Sequence, residues 1–311
     1  MATEPILTAF AVPVAERRRF SDLKIISDYW ALTKPEVNFL IVITTVAGFY
    51  LGRAEQWRDF PFLQAINTLL GTLLVASGTG TLNQYIERSF DAQMRRTARR
   101  PLAAGRLTSF SVLWFGVALS VAGSIYLVVA VNLLASLLAI FTLLSYLFFY
   151  TPLKRKTPLS VLIGAFPGAM PPLIGWAGAS GKLSVEAWTL YAVLFLWQFP
   201  HFMAIAWMYR EDYDRAGYRV LPQGSAARIR LVNLQTLLPL LALPLVCLIP
   251  AFTRHLSGFY CIAALLLSFG FLYYGAQFVL RRSSSSARRL LMASIIYLPL
   301  VLVLQMIFPA G

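Results

Sequence analysis

The sequence predicts an all-α membrane protein of about nine transmembrane helices, and three observations carry that prediction. The 311-residue chain is 58% hydrophobic and only 13% charged, whereas soluble domains carry about 25% charged residues. Its mean hydropathy is +0.67, and apolar stretches long enough to cross a hydrocarbon core roughly 30 Å thick recur along its length. Its basic residues alternate between rich and poor connecting segments, as the positive-inside bias requires.

Residues 1–36 read as a polar amino-terminal arm, with Arg17, Arg18, Arg19, Lys24 and Lys34 ahead of the first apolar run. No short apolar core with a small-residue cleavage site follows the basic stretch, so it does not read as a cleavable signal. Glu4 and Glu16 speak weakly against an acid-poor mitochondrial transit peptide, and the short amino terminus favours a bacterial source. Residues 37–308 read as a single transmembrane domain, with spans at 37–53, 62–82, 109–129, 132–150, 159–179, 187–208, 232–252, 257–280 and 290–308. Pro171, Pro172, Pro200 and Pro244 fall inside spans, where neighbouring helices re-satisfy the freed backbone groups. Cys247 and Cys261 sit in apolar segments and read as small buried hydrophobes rather than as a disulfide or metal pair.

Of the 27 Lys and Arg residues, 23 fall in the arm and in the segments after the second, fourth, sixth and eighth spans. Only Arg53, Arg58, Lys182 and Arg254 fall on the other side. That imbalance places the amino terminus in the cytoplasm and the carboxy terminus outside. It also accounts for the net charge of +14 without any nucleic-acid partner.

The chemistry-bearing residues gather at the basic ends. Asn83, Glu87 and Asp91 are spaced i, i+4, i+8, which on a helix stacks them on one face with a drift of about 40° per step. Two carboxylates and an amide on one stripe suit a hard cation, and Mg²⁺ fills its remaining positions with water and phosphate oxygens. A merely solvated helix end would explain Glu87 and Asp91, but it leaves the Asn83 amide in an apolar environment. Arg95, Arg96, Arg99 and Arg100 follow at once. Guanidinium forks match diphosphate oxygens, and Arg96 and Arg100 are the favoured pair, while Arg95 and Arg99 fit topology equally well.

A second acidic cluster, Glu211 and Asp212, follows the sixth span. Being adjacent, the two point about 100° apart on a helix, so a metal is clasped only if the helix ends nearby, as Gly217 suggests. Lys154, Arg155 and Lys156 cap the fourth span on the same side, where they fit either the same phosphate or the topology signal common at cytoplasmic helix ends. His201 lies within the sixth span, where an ionisable residue is either a functional group or a hydrogen-bonded interhelical contact. His255, in an external loop, has no role. Acidic clusters followed by arginines at the ends of spans two and six suggest a duplicated helical unit.

The Asn83, Glu87, Asp91 pattern with the basic run at 94–102 resembles the first motif of the UbiA-type intramembrane prenyltransferases. Further stretches resemble the branch of that family that farnesylates protohaem: Leu32 to Pro35, Tyr150 to Lys154, Gly168 to Trp176, Pro200 to Phe202, and Asp212 to Gly217 with Leu221 and Pro222. Three departures stand out. Glu87 occupies a position where many bacterial members carry aspartate, Glu36 one where arginine is usual, and the second acidic motif at Glu211 and Asp212 lacks the Asp-x-x-x-Asp of other branches.

The resemblance implies a UbiA-type bundle around a central cavity that transfers a farnesyl group from farnesyl diphosphate to a vinyl group of haem b. It implies Mg²⁺ held by Asn83, Glu87, Asp91, Glu211 and Asp212, and diphosphate held by Arg96, Arg100, Lys154 and Arg155. Asp91, Glu87, Arg96 and Lys154 carry catalysis in that reading, and His201 orients the haem. It places the protein in the bacterial cytoplasmic membrane, with haem-modifying enzymes or terminal-oxidase assembly factors as downstream partners. Two rivals remain open: a prenyltransferase of the same family acting on a quinone or other aromatic precursor, and a transporter of an anionic solute.

Overall fold

The computed structural model describes residues 24–53, 60–222, 224–253 and 257–308. Glu4, Glu16, Arg17, Arg18, Arg19, Arg58, Arg254 and His255 lie outside the described residues. Among the described residues every regular element is a helix. Helix α1 (Lys24–Leu32) meets α2 (Pro35–Leu51) at a 49° bend. Lys34 makes the corner in a left-handed conformation, φ 55°, ψ 63°. Pro35 disfavours the right-handed helical conformation in the residue before it and is itself well placed to open a helix.

Helix α3 (Phe62–Asp91) runs for 30 residues, past the end of its apolar stretch and through the whole acidic stripe. Helix α4 (Ser109–Ala130) is capped by Thr108, whose side chain accepts from the Ser111 amide. Helix α5 (Leu133–Leu153) starts under Asn132, which accepts from the Ala135 amide. Near its end α5 widens into a π-helical turn at Ser145–Tyr150. Pro152 explains the widening, because it has no N–H for the carbonyl one turn back and its ring pushes that carbonyl aside.

The fifth expected span is one crossing made of two helices, α6 (Ser160–Gly168) and α7 (Pro171–Ser180). Pro171 and Pro172 withhold two backbone donors and interrupt the helix at Ala169 and Met170. Helix α8 (Val185–Met208) leads to the short α9 (Arg210–Arg215). Helices α10 (Ser225–Thr253), α11 (Gly258–Arg281) and α12 (Ser284–Ile307) complete the chain. Among the described residues eight helices are long and apolar enough to cross a membrane, or nine when α1 and α2 count as one bent span. The protein is a multi-pass membrane protein, as expected.

Helices α6 and α7 form the middle of the bundle. Their apolar window is 78% buried, against 22% for α5 at the rim. Lipid tails give no hydrophobic drive between helices, so close backbone approach does the packing. A Cβ on Gly48 of α2 would collide with the Pro172 carbonyl, and one on Gly175 of α7 with the Thr45 carbonyl. Helix α12 packs on α8 and α11 and also touches α2, which brings the last span against the first. Large apolar side chains such as Val129, Leu245 and Leu280 cover the outside, where they face hydrocarbon.

Candidate active site

The acidic stripe of α3 is interior. Asn83, Glu87 and Asp91 are 2%, 3% and 1% exposed, which rules out a solvated helix end. Each meets a basic side chain from a different segment. The Lys34 ammonium, at the α1–α2 corner, donates to Asn83 Oδ1 at 2.7 Å. Lys154, just beyond α5, reaches the two Glu87 oxygens at 3.3 and 3.5 Å. Arg100, in the turn-rich segment after α3, donates to Asp91 Oδ2 at 2.7 Å. That segment is pinned beneath the stripe by Thr97, which donates to the Asp91 carbonyl at 2.9 Å, and by the buried side chain of Met94.

Aromatic rings wall the cations in. The Lys154 ammonium sits 4.8 Å from the Tyr218 ring centroid and 5.9 Å from that of Tyr150. Burial pulls the Lys154 pKa down, but the Glu87 carboxylate, with Tyr213, outweighs it and leaves the group raised above its usual value. Lys154 is therefore a committed cation. Tyr218 is raised too, by burial and then by the Glu87 charge, so it stays a neutral phenol. Arg155 stacks on Phe90 at 3.7 Å, and Arg96 stacks on Tyr209 at 5.2 Å with Nη2 3.5 Å from the Tyr213 hydroxyl. Arg96, Arg100, Lys154 and Arg155 are thus gathered around one end of α3.

One buried carboxylate oxygen at this end, Asp91 Oδ1, has no hydrogen-bond partner. Buried polar atoms are rarely left so. A carboxylate oxygen without a donor, beside a second carboxylate and an amide oxygen, is a donor set that Mg²⁺ fits.

The second acidic cluster is built differently. Asp212 gives its carboxylate to Arg215 at 3.3 Å and Glu211 lies 3.6 Å from Arg210. The Glu211 side chain is 82% exposed and that of Asp212 15%. Among the described residues no three Asp, Glu, His or Cys side chains converge on a common point. Neither Glu211 nor Asp212 therefore joins Glu87 and Asp91 in a three-acid group. The physical reason is the one their adjacency implies: consecutive side chains on α9 diverge. His201 is an interhelical contact, with Nδ1 2.8 Å from Ser294 Oγ on α12. Its ring stacks on Trp197 at 4.6 Å, and Trp197 itself donates to the Ser294 carbonyl at 2.8 Å.

Sequence reasoning missed Lys34, Tyr218 and Thr151. Lys34 was counted among the basic residues of the arm; the sign that it differs is its place directly against the first apolar run, next to a proline. Tyr218 carries no local signal, because only the chain's return after α9 brings its ring over Lys154. Thr151 lies inside a stretch already singled out, but nothing in its spacing shows that it touches Asn83.

The chain is similar to known proteins over most of its length. A family model described as the UbiA prenyltransferase family matches residues 41–297. A protoheme IX farnesyltransferase of Solibacter usitatus is 47% identical over 295 residues, covering 91% of this chain and 99% of that one. One of Koribacter versatilis is 40% identical, covering 91% and 93%. Among solved structures, a digeranylgeranylglyceryl phosphate synthase superposes with a TM-score of 0.72 at 17% identity, covering 92% of this chain and 98% of that one. A UbiA homologue from Archaeoglobus fulgidus bound to DMAPP and Mg²⁺ superposes with a TM-score of 0.61 at 14% identity, covering 89% and 98%. At those identities the structural likeness speaks to the fold alone.

Proposed function

The chain belongs to the UbiA prenyltransferase family, and on that premise we propose that it transfers the farnesyl group of farnesyl diphosphate to a vinyl group of protohaem IX. The acceptor and donor are supported by the names of relatives 37–47% identical over most of the chain. The chemistry is supported by one observation above all: three buried oxygen side chains on α3 face three cations, and an Asp91 oxygen is left over.

Asn83, Glu87 and Asp91 would hold Mg²⁺, which when bound supplies positive charge to diphosphate oxygens. Lys34, Arg100 and Lys154 already stand at the same place, and they turn to diphosphate oxygens once those enter. Arg96 and Arg155, stacked on rings at the rim, add charge further out. As the allylic C–O bond breaks, its electron pair goes to diphosphate, and these fixed cations stabilise the charge that develops there. Tyr146 and Tyr150, with centroids 4.9 Å apart beside Lys154, offer π faces to the allylic cation. The haem vinyl group attacks that cation through its terminal carbon, and water adds to the carbocation left next to the porphyrin ring and releases a proton, which gives a hydroxyethylfarnesyl side chain. His201, whose Nδ1 is taken by Ser294, would present Nε2 to the haem. Asp212, the less exposed of the second pair, would serve another cation, while the Glu211 side chain is 82% exposed. By the distribution of its basic residues the protein would lie in a bacterial cytoplasmic membrane, amino terminus inside, with this site at the cytoplasmic face.

Purified protein incubated with protohaem, farnesyl diphosphate and Mg²⁺ should convert the pigment to a product heavier by one farnesyl and one hydroxyl group, read by mass spectrometry. No gain on protohaem but a gain on 4-hydroxybenzoate would overturn the acceptor.

A further inference from the structure

We propose that Thr151 is the positioning residue that orients the Asn83 amide, so that its oxygen and not its NH2 group faces the cation on α3. The inference rests on the reading of Asn83 as a metal ligand. An asparagine amide has two ends of nearly equal shape and opposite chemistry, and a cation accepts only one of them.

In this site the choice is made by a one-way chain of hydrogen bonds. At one end of the amide, Lys34 Nζ donates to Asn83 Oδ1 at 2.7 Å. The other end, Nδ2, donates to Thr151 Oγ1 at 3.1 Å. Thr151 has a single hydroxyl hydrogen and gives it to the Tyr146 carbonyl at 2.9 Å. Towards Asn83 the hydroxyl can therefore only accept, which excludes the flipped amide. Thr151 is 1% exposed, so bulk water has no access to take its place.

The π-helical turn is what makes the arrangement possible. It sets the Tyr146 carbonyl opposite residue 151, five positions on, where it receives both the Thr151 amide and the hydroxyl. Pro152 causes the turn, and π-turns of this kind recur at functional sites. The device is thus written locally, in a threonine followed by a proline at the end of a membrane helix, and acts on a residue of another helix.

Groups that orient metal ligands typically change metal affinity roughly 10- to 100-fold when removed. Mn²⁺ binding, followed by electron paramagnetic resonance on the full-length protein with a thiolodiphosphate analogue of farnesyl diphosphate, reads this without turnover. Thr151→Val keeps the side-chain shape and should weaken Mn²⁺ binding by that roughly 10- to 100-fold factor. Thr151→Ser should restore it, and if the valine variant fails to insert, Thr151→Ala reads the same loss. In an Asn83→Asp background Thr151→Val should change nothing further, because a carboxylate has no wrong way round. Unchanged Mn²⁺ affinity in Thr151→Val, or a serine variant as weak as the valine one, would overturn the inference while leaving the metal reading intact. Absence of Mn²⁺ binding by the unsubstituted protein would overturn that reading, and this inference with it.

Discussion

Asn83, Glu87 and Asp91 on α3 and Glu211 and Asp212 on α9 are both acidic stretches followed by arginines, yet they live in opposite surroundings. The first set is buried and each member has its own cation from a distant segment. The second makes its ion pairs with neighbours on the same short helix, and Glu211 stands in solvent. Spacing and helix length account for the contrast. Four-residue steps on a 30-residue helix hold one stripe against the bundle interior, whereas consecutive residues on a six-residue helix splay apart. Burial then changes what the same chemical groups are worth. A buried pair is costly to break, and an exposed one contributes little.

The comparison is broken or sharpened by pairs of substitutions. The largest effect belongs to Asp91→Ala, which should lower turnover by about 10³-fold or more, the scale of losing a preorganised charge contact, while the protein stays folded in membranes. Glu211→Ala, assayed by the same diphosphate release, should be nearly silent; equal losses from the two would erase the distinction. Next comes stability. Glu87→Gln leaves the Lys154 ammonium buried without a carboxylate and should cost about 3–5 kcal/mol. Asp212→Asn, which removes a pair whose Arg215 side chain is 45% exposed, should cost at most about 1 kcal/mol by the same denaturation in detergent. A smaller loss of activity than that of Asp91→Ala is expected of Arg100→Ala, which should raise KM for farnesyl diphosphate about tenfold, one charged hydrogen bond's worth. An unchanged KM would assign Arg100 to holding Asp91 alone.

Much of this was legible before any fold was known. Among the described residues the apolar spans fall on helices, eight or nine as the bent first pair is counted, because a membrane helix has to satisfy its own backbone within one stretch of chain. The α3 stripe was readable because helical periodicity is local, and the burial of Asn83 followed from an amide set among apolar neighbours. The limits were equally local. Apolarity stops at residue 82, whereas the helix continues to Asp91 as the i, i+4, i+8 stripe implies, through buried groups whose ion pairs hydropathy does not register. The fifth span was seen as one helix, although Pro171 and Pro172 announced the break at its middle. His201 was balanced between two roles, and its Ser294 partner came from a helix 93 residues away.

The sequence by itself displayed the apolar spans, the stripe of oxygen-bearing side chains and the neighbouring arginines. These depend on periods of a few residues and on counts of charge, which a linear chain displays directly. Only the tertiary structure decided which cation meets which oxygen. Lys34 reaches Asn83 across 49 positions and Lys154 reaches Glu87 across 67, and such pairings depend on where the helices cross. The contrast between the two acidic clusters was decided there as well, since burial is a property of the packed bundle and not of the residues that enter it.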